Sequence, residues 1–236
     1  MKGLATIGLS LSFLALFMAC AGCHRRIGEP DDRNELTRPD EVVAFDRLYS
    51  QNCSACHGEN GSGGPAFDLS NPTYQQLIDD ASLKRWINSG MPGTQMPAFG
   101  ESAGGLLTEP QIEALVSGVR ARWSSQKTAE TGMPSYLAHT EGDVSRGEAL
   151  FRATCILCHQ QGKQEITDAS YLALVSDQSL RTVVIAGRPD LGHPDWKQVR
   201  PGRPVTEQNV SDIVAYLHSL RSETPGQPYP EEGLKR

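Results

Sequence analysis

The sequence contains two C-x-x-C-H motifs, which occupy residues 53–57 and 155–159. In such a motif the two thiols can bond to the vinyl groups of a haem, and the following histidine can coordinate the iron. Two copies with similar downstream patterns predict covalent haem in both halves of the chain. The candidate attachment residues are Cys53, Cys56, Cys155 and Cys158, and the candidate proximal iron ligands are His57 and His159.

The composition agrees with haem-containing domains. The 236 residues leave room for two domains of about 100 residues each. With 38% hydrophobic and 6% aromatic residues, the chain has few apolar side chains for two ordinary hydrophobic cores. A buried haem in each domain would add apolar volume. All six cysteines lie in C-x-x-C pairs followed by histidine, which favours haem attachment over a disulfide framework. The net charge of −6 argues against nucleic-acid binding.

The N-terminus reads as an export signal. Lys2 precedes an uncharged, apolar run over residues 3–23, which ends in a third motif at residues 20–24. No amphipathic helix precedes this motif, and too little chain follows it to enclose a haem. We therefore interpret Cys20 as a lipidation site that tethers the protein to the periplasmic face of a membrane. Lipidation at Cys23, plain cleavage, an uncleaved anchor and a third haem are the alternatives.

Composition and periodicity divide the rest of the chain into a tandem arrangement. The predicted segments are a signal or lipid-anchor segment (1–23), a flexible spacer (24–38), a first domain (39–124), a linker (125–142), a second domain (143–222) and a C-terminal tail (223–236). Helices are expected from about residue 39 into the first motif, over 82–89 with Gly90 as its stop, and over 108–123 and 206–220.

An inner repeat relates the two halves more closely. Residues 83–99 align without gaps on residues 180–196, at a constant offset of 97. Met96-Pro97 falls on His193-Pro194 in this alignment. A charged cluster around the His193 loop could balance haem propionates, steer an acidic partner, or simply be solvated; it comprises Arg188, Lys197, Arg200 and Arg203, against Asp190 and Asp195.

Over residues 40–222 the chain resembles a tandem two-domain, dihaem class I cytochrome c. The resemblance implies an all-α fold of two class I cytochrome c domains in tandem, joined by a short linker, with two covalently attached haem c groups. The first and last helices of each domain should cross. Gly118 stands where Tyr216 supplies the usual aromatic side chain, so a looser crossing is expected in the first domain.

The same resemblance implies the remaining iron ligands. A methionine before proline is the usual distal donor, which assigns Met96 to the first haem, with Met91 as the rival. His193 takes the equivalent place in the second domain, where no methionine follows Met133. The carbonyl of Pro65 is expected to hold the ring of the proximal histidine. His139 and His218 are expected to face solvent.

The resemblance also implies a function. We expect an electron carrier, not an enzyme, that passes single electrons between redox partners such as a quinol-oxidising complex and a terminal oxidase, in respiration or photosynthesis. The second haem, with two histidine ligands, should have the lower potential, because a thioether is a weaker donor to ferric iron than imidazole. The alternative is a small dihaem oxidoreductase of the peroxidase or sulfur-compound dehydrogenase type.

Overall fold

The computed structural model describes residues 37–124, 130–159, 166–200 and 202–223. These residues form helices and connecting loops without β-strands, so the predicted all-α class is confirmed. Within the same ranges no helix is both long enough and apolar enough to cross a membrane. The predicted lipidation site Cys20, all but the last two residues of the predicted spacer (24–38) and most of the C-terminal tail lie outside the described residues.

The helices follow the tandem order that the repeat predicts. The first half contains α1 (Phe45–Asn52), α2 (Ser54–His57), α3 (Pro72–Leu77), α4 (Asp80–Ser89) and α5 (Glu109–Trp123). The second half contains α6 (Val144–Thr154), α7 (Ala169–Ala173), α8 (Asp177–Ala186) and α9 (Glu207–Ser219). Short 3-10 turns occur at Pro39–Glu41, Glu101–Ala103 and Pro189–Leu191.

The helix caps show that the repeat extends further than the aligned loop. Asn71 caps α3 and Asp168 caps α7, and these two residues also differ by 97 in number. The same offset relates Asp79 to Ser176, the caps of α4 and α8. A short polar side chain at each of these positions accepts hydrogen bonds from the first free backbone N–H groups of the helix. Matching caps therefore start matching helices in both halves.

The first long helix begins later than predicted. Only a 3-10 turn forms at Pro39–Glu41, and α1 starts at Phe45. The segment between them is held open because the side-chain amide of Gln111 donates to the carbonyl of Val42 at 3.0 Å, and the Val42 side chain is buried. This hydrogen bond ties the segment before α1 to the closing helix α5.

The first and last helices cross in both halves, and the contact between α6 and α9 is far more extensive than that between α1 and α5, in agreement with the looser crossing expected for the first. A Cβ atom on Gly118 of α5 would lie 2.0 Å from the Phe45 ring on α1. At the crossing of α6 and α9 the glycine is Gly147, and its Cβ would lie 2.8 Å from that of Tyr216. Phe45 and Gly147 are 102 residues apart, like the two C-x-x-C-H motifs, and Gly118 aligns with Tyr216. In the first half the aromatic ring lies on the first helix and the glycine on the last, and in the second half the positions are reversed. An aromatic side chain therefore packs against a glycine at both crossings.

Gly118→Ala is therefore expected to destabilise the protein by about 1–3 kcal/mol, because the added methyl group overpacks the contact with Phe45. Urea denaturation of the haem-loaded protein would measure the change. Ser117→Ala, on the exposed face of the same helix, is the control and should change stability by less than about 0.5 kcal/mol. Equal stability of Gly118→Ala and wild type would contradict the close contact between Gly118 and the Phe45 ring.

The two halves pack into one body. We call residues 40–124 the first lobe, residues 143–223 the second lobe and residues 130–142 the connecting segment. From Asp40 on, the described chain forms one compact unit. Helix α3 of the first lobe packs against α8 of the second, and the Asn71 side chain donates to the carbonyl of Ala186 at 3.0 Å. One apolar cluster contains buried side chains from both lobes, and a second cluster lies within the second lobe.

The connecting segment lies within this packing. Tyr136 is buried, and its hydroxyl accepts a hydrogen bond from the indole N–H of Trp86 on α4 at 2.7 Å. The carbonyl of the same residue accepts from the side chain of Gln178 on α8 at 2.9 Å. One residue of the connecting segment thus joins helices of both lobes.

Candidate haem sites

Each C-x-x-C-H motif forms one tight turn that gathers its three functional side chains. In the first lobe the N–H of His57 donates to the carbonyl of Cys53 at 2.9 Å. In the second the N–H of His159 donates to the carbonyl of Cys155 at 3.0 Å. All four thiols of the two motifs are free of disulfide bonds. The spacing that haem attachment requires is therefore present twice, with the same backbone hydrogen bond from histidine to the first cysteine.

The thiols of the two motifs also have matching environments. Cys53 and Cys155 are partly buried, while Cys56 and Cys158 are exposed. Burial, with a smaller contribution from the neighbouring thiol, raises the pKa of Cys53 and that of Cys155 to about 11. Each site thus has one enclosed and one open thiol, and the enclosed one stays protonated at neutral pH.

The ring of His57 is oriented by a backbone carbonyl. Its Nδ1 atom lies 2.8 Å from the carbonyl oxygen of Phe67. The prediction that the Pro65 carbonyl plays this part is wrong, because the chain turns so that the carbonyl two residues later reaches the ring. A proton on Nδ1 leaves the lone pair of Nε2 available for a metal. Sequence reasoning missed Phe67, and a backbone carbonyl carries no side-chain signal that could have indicated it.

His57 is also kept neutral, as a metal ligand must be. Burial lowers its pKa, the hydrogen bond to Phe67 acts in the opposite direction, and the charge of Arg188 lowers it further. A neutral imidazole with a fixed tautomer is suited to coordinate iron. The segment that follows His159, residues 160–165, lies outside the described residues.

The two predicted distal loops have the same backbone fold. Gly90 ends α4 and Gly187 ends α8, both with φ of +70°. The N–H of Met91 donates to the carbonyl of Met96 at 3.2 Å, and the N–H of Arg188 donates to that of His193 at 3.1 Å. A Cβ on either glycine would lie 2.8 Å from the carbonyl oxygen of Met96 or His193. The glycines thus let each loop fold back tightly and place residues 96 and 193 equivalently.

The surroundings of the two methionines in the first loop differ. The hydroxyl of Ser179, on α8 of the second lobe, donates to the sulfur of Met91 at 3.5 Å. Met96 is partly buried and packs against the apolar cluster that both lobes share. The contact with Ser179 holds Met91 against the other lobe and disfavours it as an iron ligand.

His193 faces His159 across a short gap. The two ring centroids lie 6.1 Å apart, with 40° between the ring planes. Two imidazoles bonded to one metal ion have centroids about 6 Å apart, because each metal–nitrogen bond is about 2 Å long. Nδ1 of His193 is buried and has no hydrogen-bond partner among the described residues. Burial first, and then the neighbouring His159, lowers the pKa of His193. Two imidazole rings at this distance fit a haem iron between them.

The expectation that His139 and His218 face solvent is confirmed, since both residues are exposed. His218 is exposed, and its Nδ1 lies 3.0 Å from a carboxylate oxygen of Asp177. His139 is exposed in the connecting segment, where its backbone N–H donates to Glu207 at 3.4 Å. Neither residue belongs to the distal loops described above.

The fold and the motifs together define a protein with two class I cytochrome c domains in tandem, as the sequence predicts. Cytochromes c carry covalently bound haem c and transport electrons. Residues 40–117 match the family described as "Cytochrome C oxidase, cbb3-type, subunit III". The match covers the first lobe, from the start of the described compact unit into the closing helix α5.

Individual relatives are distant and cover more of the chain. The "Cbb3-type cytochrome c oxidase subunit FixP" of Bradyrhizobium diazoefficiens is 25% identical over 73% of this chain and 59% of the relative. The "Cytochrome bc1 complex cytochrome c subunit" of Corynebacterium diphtheriae is 24% identical over 91% of this chain and 79% of the relative. The Kuenenia stuttgartiensis reducing HAO-like protein complex Kustc0457/Kustc0458 shares 16% identity, with a TM-score of 0.46, over 75% of this chain and 96% of that chain. The chain spans about three fifths of the length of the FixP and CcoP relatives that it matches.

Proposed function

We propose that this protein is a dihaem electron-transfer cytochrome tethered to the periplasmic face of a membrane. His57 and Met96 would bind the iron of the first haem, and His159 and His193 that of the second. The observation that carries the proposal is the distance of 6.1 Å between the ring centroids of His193 and His159, the histidine of the second attachment motif. Haem iron would supply a reversible one-electron couple, and these four side chains would hold it.

The difference between the distal ligands gives the proposal a direction. Met96 would favour ferrous iron in the first lobe more than His193 does in the second, because thioether sulfur is the weaker donor to ferric iron. Electrons would then enter at the second lobe and leave from the first. The FixP, CcoP and bc1-complex names of the relatives support partners of the same kind, a quinol-oxidising complex on one side and a terminal oxidase on the other.

The tether is part of the proposal. The apolar run over residues 3–23 and the cysteine near its end support lipidation at Cys20 after export. Mass spectrometry of the membrane-extracted protein would identify an N-terminal diacylglyceryl-cysteine. A mature protein that begins after residue 24, recovered from the soluble periplasm, would overturn the tether while leaving the haem assignment intact.

Haem content and coordination test the central claim against the dihaem-enzyme alternative. We expect two covalent haems per chain by mass spectrometry and a low-spin ferric absorption spectrum. A high-spin signal or rapid peroxide binding would indicate an open iron position and favour a peroxidase-type enzyme. His193, opposite His159, leaves little space for such a position.

Substitution of the two methionines should separate the candidate ligands of the first haem. Met96→Leu is expected to abolish the sulfur–iron charge-transfer band of the ferric protein, because leucine keeps the volume and removes the donor atom. Met91→Leu is the matched control, five residues away in the same loop, and should retain the band. Near-infrared absorption measures both. Loss of the band in Met91→Leu alone would move the ligand to Met91.

A further inference from the structure

Arg188 lies where the two lobes meet and belongs to the distal loop of the second. Its guanidinium carbon is 5.7 Å from the centroid of the Phe67 ring in the first lobe. Phe67 is the residue whose carbonyl holds Nδ1 of His57. The side chain of a second-lobe residue therefore contacts the residue that orients the proximal histidine of the first site.

The backbone of Arg188 is tied to the other site. Its N–H donates to the carbonyl of His193 at 3.1 Å, and the N–H of His193 donates back to its carbonyl at 2.9 Å. The side chain of Arg188 thus contacts Phe67, which orients His57 in the first lobe. Its backbone is hydrogen-bonded to His193, the predicted distal ligand in the second lobe. Met91, at the equivalent position of the first loop, contacts Ser179 of the second lobe in a corresponding way.

Arg188 forms an ion pair with Asp190 at this junction. Nη2 lies 2.7 Å and Nε 2.9 Å from the two carboxylate oxygens of Asp190, a bidentate arrangement. The side chains of Arg188 and Asp190 are only 15% and 21% exposed. Solvent screens the pair in part, because Asp190 as a whole residue is exposed. The guanidinium lies 5.7 Å from the ring of Phe67, whose carbonyl oxygen is 2.8 Å from Nδ1 of His57. The charge of Arg188 therefore lies close to the first site.

We propose that the Arg188–Asp190 ion pair is a positioning element shared by both haem sites, in which the cation raises the potential of the first haem. The inference rests on the proposed function, which assigns an iron to each lobe. A fixed positive charge near an iron disfavours the ferric state, which carries one more positive charge than the ferrous state. The carboxylate of Asp190 lies beside the cation and offsets part of this effect.

Opposite substitutions in the pair should move the potential in opposite directions. Arg188→Met leaves the carboxylate alone and is expected to lower the potential of the first haem. Asp190→Asn leaves the cation alone and is expected to raise it. A redox titration followed at the sulfur–iron band measures the first haem alone, since only that haem is assigned a methionine. Arg152→Met, which removes an exposed arginine paired with Glu148 in the same lobe, is the control and should leave the potential unchanged.

The sign pattern distinguishes electrostatics from damage to the fold. Loosening of the junction would shift both variants in the same direction, and that result would overturn the proposal, as would unchanged potentials. If Arg188→Met fails to load haem, Asp190→Asn alone tests the proposal, because the potential of the first haem must rise in that variant. Haem counts and low-spin spectra of the wild type test the proposed function separately. Two low-spin haems with unmoved potentials would refute only the role of the ion pair.

Discussion

Replacing His193 by methionine is expected to raise the lower of the two haem potentials by about one to several tenths of a volt, within the range that axial ligands control. The thioether stabilises ferric iron less than imidazole does, so the ferrous form becomes more stable relative to the ferric form. The ferric protein should also acquire a second sulfur–iron charge-transfer band. A spectroscopically monitored redox titration of wild type and variant measures both effects.

The loop geometry makes this substitution a fair test of ligation. The His193 loop closes with the same backbone hydrogen bond as the Met96 loop, and both follow a glycine at φ +70°. A methionine at position 193 therefore takes a backbone position from which a methionine is already proposed to bind. His218→Met is the control, since His218 is exposed and paired with Asp177. Unchanged potential and spectrum in His193→Met would show that His193 does not bind iron.

The sequence predicts best those features that local chemistry encodes. The closing helices begin as expected, after Thr108 and Thr206, and α4 ends at Gly90. The gap-free alignment of residues 83–99 on 180–196 corresponds to equivalent loop folds. Capping side chains and positive-φ glycines act within a few residues of their own position, so their effect can be read directly from the sequence.

Features that depend on distant contacts were not predictable in the same way. The exchange of ring and glycine between Phe45 and Gly118 becomes visible only when the two helices are placed across each other. The carbonyl that reaches His57 is set by the path of the loop, since residues 65 and 67 offer chemically equal acceptors. The role of Arg188 requires the docking of one lobe on the other, to which no local pattern points.

Replacing Arg181 by methionine is expected to cost about 2–3 kcal/mol of stability, because it removes a buried cation and leaves two backbone carbonyls and the partly exposed Glu207 without their donor. The Arg181 side chain, on α8, is 3% exposed. It donates to the carbonyl of Ser135 at 2.8 Å, to that of Tyr136 at 3.0 Å and to Glu207 at 2.5 Å. Arg181 therefore fastens the connecting segment to α8, which carries the His193 loop, and to the first turn of α9. Chemical denaturation of the haem-loaded protein measures the loss.

The pH dependence of this loss identifies its cause. Burial alone would raise the pKa of Glu207, but the hydrogen bonds from Arg181 and the Ser135 N–H bring it below its usual value. A lowered carboxyl pKa contributes stability that is present above the unfolded-state value and disappears as the pH falls through the folded-state value. The difference between wild type and Arg181→Met should therefore shrink in acid.

A double-mutant cycle separates the ion pair from simple packing. Glu207→Gln removes the charge that Arg181→Met leaves unpaired, so the double variant should be less destabilised than the sum of the single variants. Arg152→Ala, which breaks the exposed pair with Glu148, is the matched control and should cost no more than about 0.5 kcal/mol. Strict additivity in the cycle, with a loss that does not change with pH, would mean that Arg181 stabilises the junction through its carbonyl hydrogen bonds and packing, and not through its charge.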